Sequence, residues 1–424
     1  DQPRSRGLGD VYKRQAYNGL KEMVVVHTGL ELGATIYLDY SVITRPGYLP
    51  ELDVCEQVEE LSPIKEYVLS LSVPESKPLH YELLNGKTAP AVKTEGGVKT
   101  VIWTLKNVQP RPYMLDVSLA AGNVQAIVAS TYASKADALK VIKQQLESNG
   151  KEVSELAKKL TANAQSPEQK TKQLTAYVQG LGNSRLSLSQ TGYRLRPAAE
   201  VIRSAYGTEA EKAALLAALQ QASGIQTEIK AVFPKTVNKD AAGLATVSKL
   251  FVTDNAVADI QDFVSVVNMD AQPVVLETVS HVISQTDTLR VTAKIGKALE
   301  AGYRRFELPQ ARSGWAAYEG RSTTMNTTRP VNLLLRYLPD ETYTCIVKVT
   351  DGMKPIVLPT DKKIENSVGS MEVTVKRTAD EIEIVRTLKL KKQLITPAKY
   401  PAYYRLMSEW MDADKSTLLF QVAK

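Results

Sequence analysis

The apolar residues of this 424-residue chain change their period twice, and this restricts the fold to an α+β, multidomain arrangement. From about Met23 to Ser118, alternating or β-branched runs recur at Met23–Val26, Thr35–Ile43, Glu66–Val73, Leu79–Leu84 and Val98–Val108. Thr28-Gly29, Pro46-Gly47, Asn85-Gly86 and Gly96-Gly97 punctuate them. Short strands at this spacing predict an N-terminal antiparallel β-sandwich. From about Pro273 the same rhythm returns at Val274–Ser284, Leu289–Ile295, Val331–Tyr337, Thr342–Val349, Met371–Lys376 and Ile382–Leu390. These runs predict a second sandwich, with a helix over Pro401–Asp412 and a last strand at Leu418–Val422.

Between them the period is helical. Ser134 is placed to cap a helix reaching about Ser148, and Val153, Leu156 and Leu160 mark a second over Lys151–Asn163. A third opens at Ser166-Pro167-Glu168-Gln169, with Ser166 as N-cap, Pro167 at the first helical position and Gln169 available for a capping box. Leu174, Tyr177 and Val178 share its apolar face and Gly180 ends it. The best-marked helix starts at the capping box Thr208-x-x-Glu211, continues through the Ala/Leu run Ala213–Ala222 and stops at Gly224. Strand-like runs at Thr227–Phe233, Thr246–Thr253 and Phe263–Asn268 follow. The expected domains are therefore 16–133, 134–270 and 271–424.

Residues 1–15 stand outside this scheme. Ser5-Arg6-Gly7-Leu8-Gly9-Asp10-Val11-Tyr12-Lys13-Arg14-Gln15 resembles the read-through of a transposase adapter used in sequencing libraries. It is set apart from fold reasoning as an artefact. Authentic sequence is then expected from near Ala16, as a metagenomic fragment whose signal peptide or lipid-attachment cysteine would be missing. The net charge of +7 is scattered among acids rather than gathered into a patch, so no nucleic-acid partner is expected. No run is long enough for a membrane-spanning helix. Cys55 and Cys345, the two cysteines, give neither a disulfide framework nor zinc-ligand spacing, and a bridge between them stays open. No metal or cofactor is expected.

The segment Tyr193–Ile225, YRLRPAAEVIRSAYGTEAEKAALLAALQQASGI, resembles the core motif of the transglutaminase-like superfamily. There a Pro-containing stretch leads to Tyr-Gly or a similar pair, then Asp-Cys, then a long helix ending in Ala-Gly-Ile. HTGLELGATIYLDYSV on one side, and NSVGS, VKRTADEIEIVRTLKLKK and YPAYYRLMSEW on the other, resemble bacterial envelope proteins in which such a papain-like α+β domain lies between two β-rich domains of uncharacterised function. The resemblance implies an exported, periplasm-facing protein. It also implies a groove lined by Tyr206, Gly207, Thr208 and Glu209, with Asp254 or Asp270 where the family's orienting acid falls.

The family's chemistry needs a thiolate at the helix N-terminus and a His to act as base. Here Glu209 occupies the nucleophile position. Counting strengthens the point: no His lies between Tyr81 and Ser280, and no Cys between Glu56 and Thr344. The central domain therefore holds no Cys–His pair, and the expectation is a non-catalytic module binding peptide, glycan or another envelope protein. The alternatives are a hydrolase of another class using carboxylates near Glu209, such as Glu209 with Glu211, and a purely structural spacer. His27, His80 and His281 lie in the flanking regions, and His281 alternates with valines as a core-edge residue would. The run Arg386–Lys392 reads as an alternating strand with one charged face, or a protected edge, rather than a polyanion site. Tyr400, Tyr403, Tyr404 and Trp410 read as core first and as a contact surface second.

Overall fold

The computed structural model describes residues 29, 31–45, 47–111, 122–146, 150–253, 257, 260–275, 282–309, 326–335, 337–350 and 352–422. The strand expected at Met23–Val26, most of that at Val274–Ser284, residues 1–15, His27, His281 and Asp254 lie outside them. The chain is a mixed α+β, strand-rich multidomain protein with several sheets. It divides into two compact units: Asp1–Arg111, Val124–Thr253 and Phe263–Val275 form one, and Pro112–Asn123, Asp254–Asp262 and Leu276–Lys424 the other. The regions expected as 16–133 and 134–270 thus fall mainly in the first unit.

In the first unit, β1 (Asp53–Gln57), β6 (Ala126–Ser130) and β3 (His80–Leu84) form one antiparallel sheet in the order β1-β6-β3. The strands β2 (Ile64–Pro74), β5 (Val98–Val108) and β4 (Ala91–Glu95) form another, in the order β2-β5-β4. Alternate residues of both sheets meet in one core, in which Trp103 is fully enclosed and Tyr81 meets it edge-on at 5.4 Å. Gly96 and Gly97, at φ of +60° and +77°, make the turn between β4 and β5, as a two-residue hairpin with left-handed positions requires. The expected strand Thr35–Ile43 differs: it is extended but pairs with no strand among the described residues. Ile36, Leu38, Tyr40 and Val42, which alternation places on one face, are all largely exposed. Period-two patterning specifies which face would be buried, and does not supply a neighbour.

Helices α1 (Lys135–Lys143), α2 (Lys151–Thr161), α3 (Pro167–Gly180), α4 (Ala198–Ser204) and α5 (Glu209–Ala222) follow. Ser134 caps α1 by accepting from the Asp137 N–H, and Ser166 caps α3 by accepting from that of Gln169. Gln169 does not close a capping box on Ser166. Its Oε1 accepts from the N–H of Gln165, one residue earlier. Helix α4 was not anticipated, because seven residues carry too short a period to show.

Helix α5 is apolar nearly all round because it lies between two cores. Leu215, Ala218 and Leu219 pack with α2, α3 and α4, while Ala213 and Ala217 join Leu139, Phe233 and Leu250 on the other side. That second core rests on β9 (Lys230–Pro234), flanked by β10 (Lys249–Phe251) and β11 (Val264–Asn268), all antiparallel. The pair β7 (Gly182–Asn183) and β8 (Tyr206–Gly207) ties the α3–α4 connection to the start of α5.

The second unit holds a five-stranded sheet in the order β12 (Val282–Thr292), β16 (Leu338–Lys348), β20 (Glu381–Leu390), β19 (Gly369–Arg377) and β18 (Lys362–Glu365). Only β12–β16 is parallel. A smaller sheet runs β13 (Lys297–Ala298), β14 (Tyr303–Glu307), β22 (Thr417–Val422), β17 (Met353–Val357), and β15 (Leu333–Leu334) pairs with β21 (Leu394–Ile395). Helix α6 (Tyr400–Trp410) inserts Tyr400, Tyr403, Leu406, Met407 and Trp410 into the core, which makes the terminal aromatic set structural. The basic run is likewise structural, on an interior strand rather than an edge. Arg386 falls on the buried side of β20, stacks at 4.1 Å over Trp410 and donates to its carbonyl, while Lys389 and Lys391 pair with Asp340 and Glu365. Cys55 and Cys345 are both free thiols.

Candidate functional site

Glu209 sits where a helix begins, and the local sequence explains the geometry. Ala205 ends α4 in the left-handed conformation at φ +54°, turning the chain into β8. Gly207 is sandwiched: a Cβ there would lie 3.2 Å from Val201 Cγ1 and 3.3 Å from Glu211 Oε2, so a side chain would displace one of them. Thr208 is buried and caps α5, its Oγ1 accepting from the Glu211 N–H at 3.2 Å while Glu211 Oε2 accepts from the Thr208 N–H at 2.9 Å. The capping box read in the sequence is thus present in full.

Glu211 has a second task that the sequence did not reveal. Its side chain has no exposed surface, and Arg196, whose own side chain is 7% exposed, grips it from the opposite side. Arg196 Nε donates to Oε1 and Nη2 to Oε2, both at 3.0 Å, and the Arg196 backbone N–H adds a third bond at 3.0 Å. The guanidinium also donates to Ser204 Oγ and the Tyr206 carbonyl, and it stacks 4.5 Å from the Tyr206 ring centre. A carboxylate held by a bidentate Arg and two backbone N–H groups is fixed in position. Glu211 is therefore scaffold, and the Glu209–Glu211 pair cannot serve as two working carboxylates.

Glu209, two positions earlier in the same first turn, is exposed. A carboxylate in the first turn faces unpaired N–H groups and the positive end of the helix dipole. Two lysines lie within its electrostatic reach: Lys212 on the same helix and Lys249 on β10, which packs against α5. Burial lowers the pKa of both ammonium groups, and Glu209 partly restores each. Lys212 additionally donates to the Leu181 carbonyl at 2.7 Å. Lys249 was missed because one Lys in a three-residue strand carries no signal until β10 is placed beside the helix start. Asp270 is in an exposed turn and pairs with Lys143 at 2.5 Å, away from this arrangement's hydrogen bonds. Among the described residues no group of three or more His, Cys, Asp or Glu side chains could hold a metal ion, and no helix is long and apolar enough to cross a membrane.

A crystal structure of a putative protease from Parabacteroides distasonis superposes on this chain with a TM-score of 0.81 and 34% sequence identity, covering 97% of this chain and 83% of that one. The chain belongs to that protein's family. Two family models match within it, both described as domains of unknown function with a solved structure: DUF3857 over residues 9–112 and DUF3858 over residues 304–420. A search of curated proteins gives no match. The two matched segments flank the helical region that carries Glu209, which neither model covers.

Proposed function

We propose that the chain is a non-catalytic module of an exported bacterial envelope protein, with a degenerate transglutaminase-like domain between two β-sandwiches. Its face at the start of α5 binds peptide, glycan or another envelope protein. The observation that carries this reading is a fully built helix start in a region without Cys or His, with exposed Glu209 at its first position and Lys249 within electrostatic reach. Arg196, Glu211 and Thr208 hold that start through a buried ion pair and a complete capping box. The opposite charges of Glu209 and Lys249 suit a ligand carrying both a donor-rich and an acceptor-rich group, as a peptide does. The family relative is described as a putative protease, and a peptide groove retained without its nucleophile agrees with that description.

The test is a thermal-shift screen of the chain against peptides, peptidoglycan fragments and oligosaccharides. A ligand at a hundred times its Kd adds about 2.7 kcal/mol of stability. The expected result is a shift with one class that is lost in Glu209→Gln and Lys249→Met while the unliganded Tm stays within a degree or two. Turnover of an amine or peptide substrate that survives replacement of both cysteines would overturn the non-catalytic reading. A shift indifferent to both substitutions would move the binding face elsewhere.

A further inference from the structure

The outer face of the β1-β6-β3 sheet meets the loop that leads into β10. Alternation along β1 sends Val54 and Val58 into the sheet core, and Asp53 and Cys55 to the other side. There the Asp53 carboxylate lies over a 3-10 turn, Leu244–Thr246. Its Oδ2 accepts the Ala245 N–H at 3.0 Å. Contact is so close that a Cβ on Gly243 would come within 2.4 Å of Oδ1. On the same face, across β6, Glu82 of β3 accepts the Asn238 N–H at 2.9 Å, so two carboxylates grip the same loop. Asp53 differs from Glu82 in what surrounds it. Its Oδ1 is sealed from solvent without a hydrogen-bond partner, and the hydroxyl of buried Tyr132 is in the same condition.

We propose that the contact between β1 and the loop 243–246 is a proton-operated latch, closed when Asp53 is protonated and loosened when it is ionised. Protonation turns the orphan Oδ1 into a hydroxyl and removes a buried charge, while Oδ2 keeps its bond from Ala245. Ionisation leaves a desolvated carboxylate facing groups that offer it no counter-charge. The titratable groups around it are Cys55 on its own strand, Glu51 just before it, Tyr132 after β6, and Tyr48 and Tyr193. Tyr193 and Cys55 both feel the Asp53 charge as an elevation of their own pKa. The facing turn, Gly243-Leu244-Ala245-Thr246, contributes no ionisable side chain. Burial raises the Asp53 carboxyl from 3.8 to about 7, with the backbone donors of Ala245 and Leu244 opposing it. Once the latch opens, Asp53 returns to the ordinary carboxylate range. Opening is therefore favoured as pH rises across the interval between the two values, and is level above it. Three residues beyond the latch the chain reaches Lys249, so the same proton bears on the position of that amine. The latch itself does not depend on whether the face at Glu209 binds anything.

The experiment is hydrogen exchange of the full chain, following the amides of Leu244 and Ala245 as protection factors from pH 4.5 to 8.5. Protection is expected to fall about tenfold per pH unit up to about pH 7 and then to level off, while Asp53→Asn shows no such slope. A slope equal in the wild type and in Asp53→Asn, or no slope in the wild type, overturns the latch. Should the variant fail to fold, the carboxyl carbon resonance of Asp53 in the wild-type protein decides the matter. A midpoint near 7 supports the latch, and one near 4 overturns it.

Discussion

Arg196→Met tests whether Glu211 is locked by its ion pair or merely close to a cation. The substitution keeps much of the side-chain volume and leaves the residue-196 backbone N–H in place. It deletes two 3.0 Å bonds to the Glu211 carboxylate and those to Ser204 and the Tyr206 carbonyl. Glu211 would then be a carboxylate with no exposed surface that keeps the backbone donors of residue 196 and Thr208. Removing one partner of a buried pair costs about 3–5 kcal/mol. The surviving backbone bonds place the expectation at the lower end, ~3 kcal/mol. For a unit of this size each kcal/mol is worth about 2–4 °C, so thermal melting followed by far-ultraviolet circular dichroism should fall by ~6–12 °C.

A double replacement separates charge from packing. Arg196→Met with Glu211→Met removes both buried charges together, and its remaining deficit is the two backbone N–H groups, of residue 196 and Thr208, that lose their acceptor, about 1 kcal/mol or more each. The double variant should therefore be more stable than Arg196→Met alone. If the single variant melts within a degree of wild type, Glu211 has another source of compensation. The statement that it is scaffold then fails, and the carboxylate pair with Glu209 returns as an acid/base candidate.

Three further outcomes follow from particular contacts. Thr208→Ala removes the hydroxyl that receives the Glu211 N–H and should lower urea stability by ~1 kcal/mol without altering the exposed face at Glu209. Asp53 has a folded pKa, about 7, above its unfolded 3.8, so its stabilising contribution is complete below the lower value and is lost as pH rises through the higher. At about 1.4 kcal/mol per pH unit the loss reaches ~4 kcal/mol at most. Asp53→Asn should raise Tm at pH 8 and leave it unchanged near pH 4, and a lower Tm at both would refute the sign. Trp410→Ala empties a fully buried position beneath Arg386 and should cost the second unit ~3–5 kcal/mol in urea unfolding.

What was legible in the sequence follows from the range over which each signal acts. Caps are local, so Ser134, Ser166, Thr208 and Gly224 locate helix ends to within a residue or two. Period two is local as well, and β2, β5, β19 and β20 lie where alternation placed them. Short strands such as β14, β17 and β18 stayed hidden because adjacent charged residues, or a proline in β17, break their alternation. The Thr35–Ile43 run shows the reverse limit, a pattern strong enough for a strand in a place where no neighbour pairs with it. The candidate site divides along the same line. Glu209 and the Thr208–Glu211 box are neighbours in sequence and could be read from it. Arg196 reaches Glu211 across 15 residues and Lys249 comes within electrostatic reach of Glu209 across 40, and such approaches exist only once the chain has folded. Those two long-range partners change the chemical reading most. One holds Glu211 as scaffold at the helix start, and the other sets an ammonium group within electrostatic reach of Glu209.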